Sequence, residues 1–230
     1  VPNYDENNPY LSYDEKALLD YFQNHFKLDN PPGEKFAYSN LGAGILSYAI
    51  AKIEGKPFEE IVKERIFQPL QMTNSSFDKK QFGDKLVKGL DHNGKPCPNW
   101  DGGILNGCIG IISTLEDMSK FVKAIFEKNV LNDLHTKATF EIEKDYSIAL
   151  GWGIRNRNYG IETYNHGGGS NGYTSYLTIN RKDQTAIIIL TNISAFHPAR
   201  EKGEELSKIL MTRIHSVSYT HLRAHETDTD

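Results

Sequence analysis

The sequence predicts an α+β fold in which helices come first, an antiparallel sheet follows, and one more helix ends the domain. Three observations support this prediction. Apolar residues recur at helical spacing between residues 14 and 128, short β-type runs replace them after residue 148, and helical spacing returns near residue 200. Strands and helices are thus segregated along the chain rather than alternating, which argues against a doubly wound parallel sheet.

Helical spacing predicts four helices before the sheet, at residues 14–25, 41–54, 58–66 and 115–128. Ser39 or Asn40 can cap the second helix, and Gly55 can end it because glycine tolerates a left-handed conformation. The fourth helix follows a Ser-x-x-Glu capping box at residues 113–116. The segment between the third and fourth helices is rich in turn-forming residues, and long segments of this kind often line functional clefts.

The second half of the chain predicts strands. Short runs of β-branched and aromatic residues occur at residues 149–155, 163–166, 173–179 and 185–191. A final amphipathic helix is predicted over residues 199–214. We therefore expect one domain over residues 1–215, with a helical lobe over about 1–135 and a sheet-containing lobe over about 136–215.

The last fifteen residues differ in character from the rest. Residues 217–227 resemble the in-frame translation of a transposase sequencing adaptor, and a natural polar tail is the alternative interpretation. We expect residues 216–230 to form an adaptor-like or disordered tail outside the domain. Because the first residue is Val1 rather than methionine, we also expect the chain to be part of a longer protein.

The composition is that of an ordinary globular protein. Hydrophobic residues make up 38% of the 230 residues and charged residues 24%, with a formal net charge of −4 at pH 7. Basic residues are scattered, so we expect no nucleic-acid partner. No apolar run reaches the roughly 18 residues of a membrane span, and no signal peptide is visible.

Tyr38-Ser39-Asn40 is the first candidate catalytic motif, at the predicted start of the second helix. A tyrosine phenol acts as a general base where neighbouring cations lower its pKa. An asparagine two positions later reaches the same side, where its amide can hydrogen-bond a lysine amine and a substrate carbonyl. On these three residues alone the alternative is structural, with Asn40 as a helix cap and Tyr38 as an aromatic side chain at the edge of the core.

His166-Gly167-Gly168-Gly169 is the second candidate motif, at the end of a predicted strand. A strand edge without side chains lets a substrate lie against the backbone and lets a backbone N–H reach a developing oxyanion. The alternative is a glycine-rich hairpin with an incidental histidine. A phosphate-binding loop is disfavoured because no Gly-Lys-Ser/Thr follows.

Together with the segments that flank them, the two motifs resemble two of the three active-site motifs of the β-lactamase-related serine hydrolases. This family includes penicillin-binding proteins and class C β-lactamases. Four flanking segments are similar to those of the family and occur in its order. They are the Pro-Gly approach at residues 32–33, the Pro-Leu-Gln-Met loop at 69–72, Ser-Thr-x-x-Asp at 113–117 and Ala-Leu-Gly-Trp-Gly at 149–153. The resemblance covers about residues 1–215.

The resemblance implies an active site between the two lobes and acyl transfer through a serine ester, followed by hydrolysis. Tyr38 and Asn40 would be catalytic, and the N–H of Gly169 would bind the oxyanion. His166 would be a polar or charged group beside the reacting centre, and the intervening glycines would bind substrate. The implied partner is a small-molecule or peptide substrate, with no cofactor and an exported, periplasmic or otherwise extracytoplasmic location. His-x-Gly in place of Lys-Thr-Gly disfavours a specialised β-lactamase and leaves esterase and D-amino-acid peptidase activities open.

The family's third motif, Ser-x-x-Lys, carries the nucleophile and precedes Tyr-x-Asn. No serine before Tyr38 is followed by lysine three positions later, and the one match in the chain is Ser76-Phe77-Asp78-Lys79. It does not look like a helix start, so we interpret it as a chance match. We therefore expect the nucleophile upstream of Val1 and the chain as printed to be inactive. A catalytically dead binding or sensor module on the same fold is the alternative.

Neither a metal site nor a disulfide is predicted. His92 and Cys97 lie near each other in sequence, but no second ligand pair has a recognised spacing. Cys97 and Cys108 are the only two cysteines, and we interpret them as free thiols, with a disulfide in an exported protein as the alternative.

Overall fold

The computed structural model describes residues 8–10, 13–127, 133–157 and 161–226. In these residues the predicted α+β fold is confirmed, with a six-stranded sheet in which every strand pairs antiparallel with its sequence neighbour. The strands are β1 Phe140–Glu143, β2 Tyr146–Ile148, β3 Gly153–Arg157, β4 Ile161–Gly169, β5 Thr174–Asn180 and β6 Thr185–Thr191. The α-helices are α1 Glu15–Asn24, α2 Asn40–Glu54, α3 Phe58–Val62, α4 Leu115–Glu127 and α5 Arg200–Glu226.

Helix α2 begins and ends where its sequence signals predict. Ser39, and not Asn40, is the N-cap, since its Oγ accepts a hydrogen bond from Gly42 N at 2.9 Å. Gly55 ends the helix in the left-handed conformation with φ of 67°. The cap assignment leaves the Asn40 side chain available for contacts beyond its own helix.

The start of α4 lies one residue later than the predicted capping box. Thr114 Oγ1, and not Ser113, accepts the hydrogen bond from Asp117 N at 3.2 Å. The Asp117 carboxylate is fully buried, and it accepts hydrogen bonds from Asn74 N (2.7 Å) and Ser75 Oγ (2.9 Å). The start of α4 therefore anchors the turn that follows the Pro-Leu-Gln-Met loop.

Several predicted element boundaries differ from the structure. Strands β1 and β2 were not predicted, because the first is only four residues long and alternates with glutamates and the second has only three residues. The predicted strand at 149–155 begins with a turn instead, because Gly151 has a φ of 84° and Ala149 N donates to Trp152 O. Helix α5 continues to Glu226 rather than ending at residue 214, since no glycine or proline after Gly203 interrupts it.

The sheet packs between helices on both faces. One face carries a core cluster with α4, made of Val122, Ile125, Ala149, Trp152, Ile154, Tyr164, Leu177 and Ile179. The other face packs against α5, where Ser207 Oγ donates to Thr178 Oγ1 at 2.7 Å and Gly203 lies against Tyr176. A separate cluster of Tyr13, Leu18 and Leu105 joins α1 to α2 and the loop segment beyond it. No helix among the described residues is long and apolar enough to cross a membrane.

Candidate active site

Two residues predicted for the site, Tyr38 and His166, lie next to each other. Their ring centroids are 6.4 Å apart and their planes are tilted by 37°. Tyr38 immediately precedes the Ser39 cap of α2, and 68% of its surface is exposed. His166 lies in β4, on the face that also carries Tyr164 and packs towards α4, because alternate residues of a strand share a face. The start of α2 is thus placed against the end of β4.

Asn40 is oriented by a residue that the sequence did not indicate. Its Nδ2 donates a hydrogen bond to the Tyr10 hydroxyl at 3.2 Å. This bond uses one of the amide's two donor hydrogens and fixes the plane of the amide group. Tyr10 lies thirty residues earlier, before the first predicted helix, and no spacing rule connects the two positions.

Strand β4 is longer than the strand that pairs with its first half. β3 begins at Gly153, opposite Asn165. The last four residues of β4, from His166 to Gly169, pair with β5 on one side and have no strand of the described chain on the other. An extended substrate can pair with such an open strand edge through main-chain hydrogen bonds.

The direction of the Gly169 N–H follows from the alternation of hydrogen bonds in antiparallel strands. Ser170 N donates to Tyr173 O at 2.9 Å, so the next pair in the register, Gly169 and Thr174, does not exchange hydrogen bonds. The N–H and C=O of Gly169 therefore point away from β5, to the side where β3 has ended. The backbone of Gly167 points the same way. This is the orientation that an oxyanion-binding N–H requires.

Steric crowding explains two of the three glycines at the end of β4. A Cβ at Gly169 would lie 2.8 Å from Ala195 Cβ, and a Cβ at Gly168 would lie 2.6 Å from Ser175 Oγ. Both distances are far inside van der Waals contact, and Ala195 Cβ cannot rotate away. A Cβ at Gly167 would meet only ordinary contacts at 3.6 Å and beyond. Of the three glycines, only Gly169 therefore has a close neighbour that cannot rotate away.

The surroundings of His166 favour the neutral ring. Although its side chain is exposed at the surface, the protein around it removes water from the imidazole and lowers its pKa below the ordinary value of 6.5. A neutral imidazole has one donor and one acceptor nitrogen. At pH 7 this residue is therefore a polar hydrogen-bonding group rather than a fixed positive charge.

The remaining sequence candidates lie outside this arrangement. Ser76 forms an isolated antiparallel bridge with Ile112, and the Lys79 ammonium binds the backbone oxygens of Asn99 and Trp100 instead of approaching Ser76. The two residues do not share a helix. Cys97 and Cys108 are both free thiols, and burial raises the pKa of Cys108 to about 11. Among the described residues, no group of three or more His, Cys, Asp or Glu side chains is arranged to hold a metal ion.

Comparisons with known proteins identify the family. The sequence model of the Beta-lactamase family matches residues 2–210. Among curated proteins, the probable hydrolase clz13 of Cochliobolus lunatus is 25% identical over 194 residues, which cover 80% of this chain and 31% of the relative. The D-alanyl-D-alanine-carboxypeptidase/endopeptidase AmpH of Escherichia coli K12 is 31% identical over 97 residues, which cover 42% of this chain and 25% of AmpH.

Solved structures show the same fold. A β-lactamase/D-alanine carboxypeptidase from Pseudomonas syringae superposes with a TM-score of 0.73 at 19% identity, covering 86% of this chain and 65% of that one. The octameric penicillin-binding protein homologue from Pyrococcus abyssi superposes with a TM-score of 0.65 at 25% identity, covering 79% of this chain and 44% of that one. The chain spans only about a quarter to a third of the two curated relatives. Because the family's sequence model matches almost the whole domain, the chain belongs to the β-lactamase family.

Proposed function

We propose that this chain forms most of the active site of a serine hydrolase that cleaves an ester, amide or peptide through an acyl-enzyme. The observation that supports this most directly is the approach of Tyr38 to His166 beside the open edge of β4. The names of relatives, which include a carboxypeptidase/endopeptidase and a probable hydrolase, agree with the reaction class. The extracytoplasmic location implied by the family resemblance stays part of this proposal.

Each residue has a role that follows from its chemistry. A serine hydroxyl attacks the substrate carbonyl while Tyr38 takes part in removing the hydroxyl proton. The carbonyl oxygen becomes an oxyanion and accepts a hydrogen bond from the N–H of Gly169. Asn40, whose amide plane is fixed by Tyr10, donates to or accepts from the substrate. Neutral His166 hydrogen-bonds the reacting group without adding a charge. When the oxyanion collapses, the bond to the alcohol or amine of the substrate breaks, and this leaving group departs with the proton taken from the serine. Water then hydrolyses the serine ester, which releases the acid and restores the serine hydroxyl.

In this proposal the serine nucleophile lies outside the printed sequence. The chain has one Ser-x-x-Lys, but Ser76 forms a bridge with Ile112 and the Lys79 ammonium binds the backbone oxygens of Asn99 and Trp100, so the two residues do not share a helical turn. The chain as printed is therefore inactive on its own. The second candidate function, a binding or sensor module that has lost catalysis, shares all of the observed geometry and differs only in whether the complete gene product carries the nucleophile.

Active-site labelling separates these functions. A fluorescent fluorophosphonate and a fluorescent penicillin are each incubated with the chain as printed and with the product of the longest open reading frame that contains it, called here the complete gene product. We expect no labelling of the printed chain and stoichiometric labelling of one serine in the complete gene product, located by peptide mass spectrometry. Labelling of Ser76 or of any other serine in the printed chain would overturn the assignment. An unreactive complete gene product would favour the binding module.

A further inference from the structure

The chain contains three asparagines that are followed by glycine, in the pairs Asn93-Gly94, Asn106-Gly107 and Asn171-Gly172. Asparagine is one of the thermolabile residues of proteins. A following glycine makes it more reactive, because the flexible glycine backbone lets its nitrogen approach the carbonyl carbon of the asparagine side chain. In a folded protein this approach requires a backbone that can rotate, and the structure gives the three pairs very different surroundings.

Asn93-Gly94 lies in an exposed turn. Gly94 has a φ of 77°, and a Cβ built on it would have no atom within 4 Å. Among the described residues, the Asn93 side-chain amide contacts only the exposed ring of His92, with Nδ2 and Nε2 2.9 Å apart. Gly94 N donates to Asp91 O at 3.0 Å, and this bond must open before the nitrogen can react. Because the turn is exposed, water can replace that bond at little cost.

Asn106-Gly107 is held at both groups that would react. The Asn106 side-chain amide donates to Glu59 Oε1, and Gly107 N donates to the Oγ of the buried Ser47 at 3.0 Å. A Cβ at Gly107 would lie 2.6 Å from Ala43 O, so this backbone is packed closely against α2. Reaction here would require the segment to leave α2, which protects the pair.

Asn171-Gly172 is held by packing in the turn between β4 and β5. Gly172 is buried, and a Cβ there would lie 2.7 Å from Gly89 Cα. Gly172 O accepts a hydrogen bond from Leu90 N at 3.3 Å, and the residues on either side of the pair close the turn with a hydrogen bond of 2.9 Å. The close backbone of Gly89 leaves no room for the rotation that the reaction requires.

We propose that Asn93 is a site of spontaneous deamidation in the folded protein, whereas Asn106 and Asn171 are protected. Gly94 N attacks Asn93 Cγ, the Cγ–Nδ2 bond breaks, and Nδ2 departs as ammonia with the proton of Gly94 N. Water then opens the resulting succinimide at one of its two carbonyls. The product is an aspartate or an isoaspartate, in which the backbone runs through the former side chain, and either makes the formal net charge of −4 more negative by one. Deamidation needs no nucleophilic serine, so it is independent of the proposed hydrolase function.

The modified turn belongs to a hairpin that supports the end of β4. An antiparallel bridge joins Leu90 to Pro96, and we call residues 88–97 the supporting hairpin. Leu90 N donates to Gly172 O, so the hairpin holds the turn that follows Gly169. A change in the hairpin therefore reaches the strand end to which the proposed function assigns oxyanion binding.

The Asp91 carboxylate is the anchor on which deamidation would act. Asp91 Oδ1 accepts hydrogen bonds from the backbone N–H of Asn93 (2.8 Å) and of Lys95 (2.9 Å). The bond from Lys95 is the main cause that holds the pKa of Asp91 below its usual value of 3.8. An isoaspartate lengthens the backbone between these two donors by one carbon, and its carboxylate repels that of Asp91. Deamidation should therefore loosen the supporting hairpin.

Matched variants separate deamidation of Asn93 from other effects of ageing. Asn93→Ser removes the side-chain amide and keeps a turn-forming residue, and Asn171→Ser makes the same change at a protected pair. Ageing at mildly alkaline pH should lower the thermal midpoint of the wild-type complete gene product and of Asn171→Ser by about 2–4 °C, the shift expected when one or two hydrogen bonds of the turn are lost. Asn93→Ser should keep its midpoint. An equal fall in Asn93→Ser would contradict the proposal.

Peptide mass spectrometry of the aged complete gene product tests the selectivity directly. The protein is incubated with and without concentrated urea, and the gain of about 1 Da is followed at each asparagine. In the folded protein we expect Asn93 to react at least about tenfold faster than Asn106 and Asn171, because an opening free energy of about 1.4 kcal/mol already lowers the reactive population tenfold. In urea the three pairs should react at similar rates. Equal rates in the folded protein, or no reaction of Asn93 there, would overturn the proposal.

Discussion

The rings of Tyr38 and His166 lie 6.4 Å apart, although the first precedes α2 and the second lies in β4. This contact joins the helical part of the domain to the sheet at the point where β4 no longer pairs with β3. A residue suited to proton transfer therefore lies beside a backbone suited to oxyanion binding. The catalytic roles of these residues stay predictions, and each can be tested separately.

We expect Tyr38→Phe to lower kcat/KM of the complete gene product by roughly 10²- to 10⁴-fold, the usual contribution of general acid–base catalysis. The substitution removes only the phenolic oxygen from a side chain that is 68% exposed, so the thermal midpoint should change little. The measurement is steady-state hydrolysis of a chromogenic ester combined with thermal unfolding of both proteins.

Tyr48→Phe is the matched control for Tyr38→Phe. The Tyr48 hydroxyl donates to Glu15 Oε1 at 2.7 Å, between α1 and α2, and has no role in the proposed site. Its loss should reduce stability slightly and leave kcat/KM at the wild-type value. Near-wild-type activity of Tyr38→Phe at unchanged stability would show that Tyr38 is only an aromatic residue at the edge of the core.

His166 should titrate below the ordinary histidine value of 6.5, because the surrounding protein disfavours its charged form. The unfolded chain then binds this proton more tightly than the folded one. The contribution of His166 to folding is therefore fully present above pH 6.5 and decreases as the pH falls below that value. An NMR titration of the ring proton, assigned with a His166→Gln variant, measures the pKa. A midpoint at or above 6.5 would contradict a lowered pKa for His166.

Asp117→Asn should destabilise the domain by about 1–3 kcal/mol at pH 7, because it weakens a buried acceptor of several hydrogen bonds. Burial raises the pKa of Asp117, but hydrogen bonds from Lys120, Ser75 and Asn74 outweigh it and hold the pKa below its usual value of 3.8. The carboxylate therefore stabilises the fold above that value, and its contribution is lost as the pH falls through the folded-state pKa.

Denaturant unfolding of both proteins between pH 3 and pH 7 checks this prediction. The difference between wild type and Asp117→Asn should shrink at the acidic end. Glu116→Gln serves as the control, since the Glu116 side chain is 73% exposed and lies 3.6 Å from Lys120 Nζ, and such surface pairs contribute little. Equal effects of the two substitutions on the free energy of unfolding would contradict the stabilising role of the buried Asp117 carboxylate.

The parts of the fold that could be predicted from sequence are those with local signals. The caps of α2 follow from Ser39 and Gly55, and the β6 strand of seven residues matches its predicted bounds. The short β1 and β2 strands gave no signal, because pairing with neighbours rather than intrinsic propensity stabilises them. The continuation of α5 beyond residue 214 could likewise not be predicted, because no capping residue marks where the helix ends.

The candidate site likewise contains residues that the sequence indicated and a residue that it did not. Tyr38, Asn40 and His166 could be proposed because short motifs and a family resemblance mark them. Tyr10 could not, because it contacts Asn40 through a tertiary hydrogen bond between segments far apart in sequence. An aromatic residue in a turn-rich stretch has no periodicity that distinguishes a binding residue from a packed one.

Gly169→Ala should displace the end of β4, because the new Cβ would lie 2.8 Å from Ala195 Cβ and neither methyl group can rotate away. If the Gly169 N–H binds the oxyanion, this displacement should lower kcat of the complete gene product by up to about 10²- to 10³-fold, the cost of losing one oxyanion-hole donor. The double variant Gly169→Ala/Ala195→Gly removes the clash while keeping the new methyl group, so it should recover most of the activity. Ala195→Gly alone supplies the baseline for that comparison. Kinetics of all four proteins decide the outcome: a double variant as impaired as Gly169→Ala would mean that the methyl group itself, and not the position of the backbone N–H, blocks the reaction.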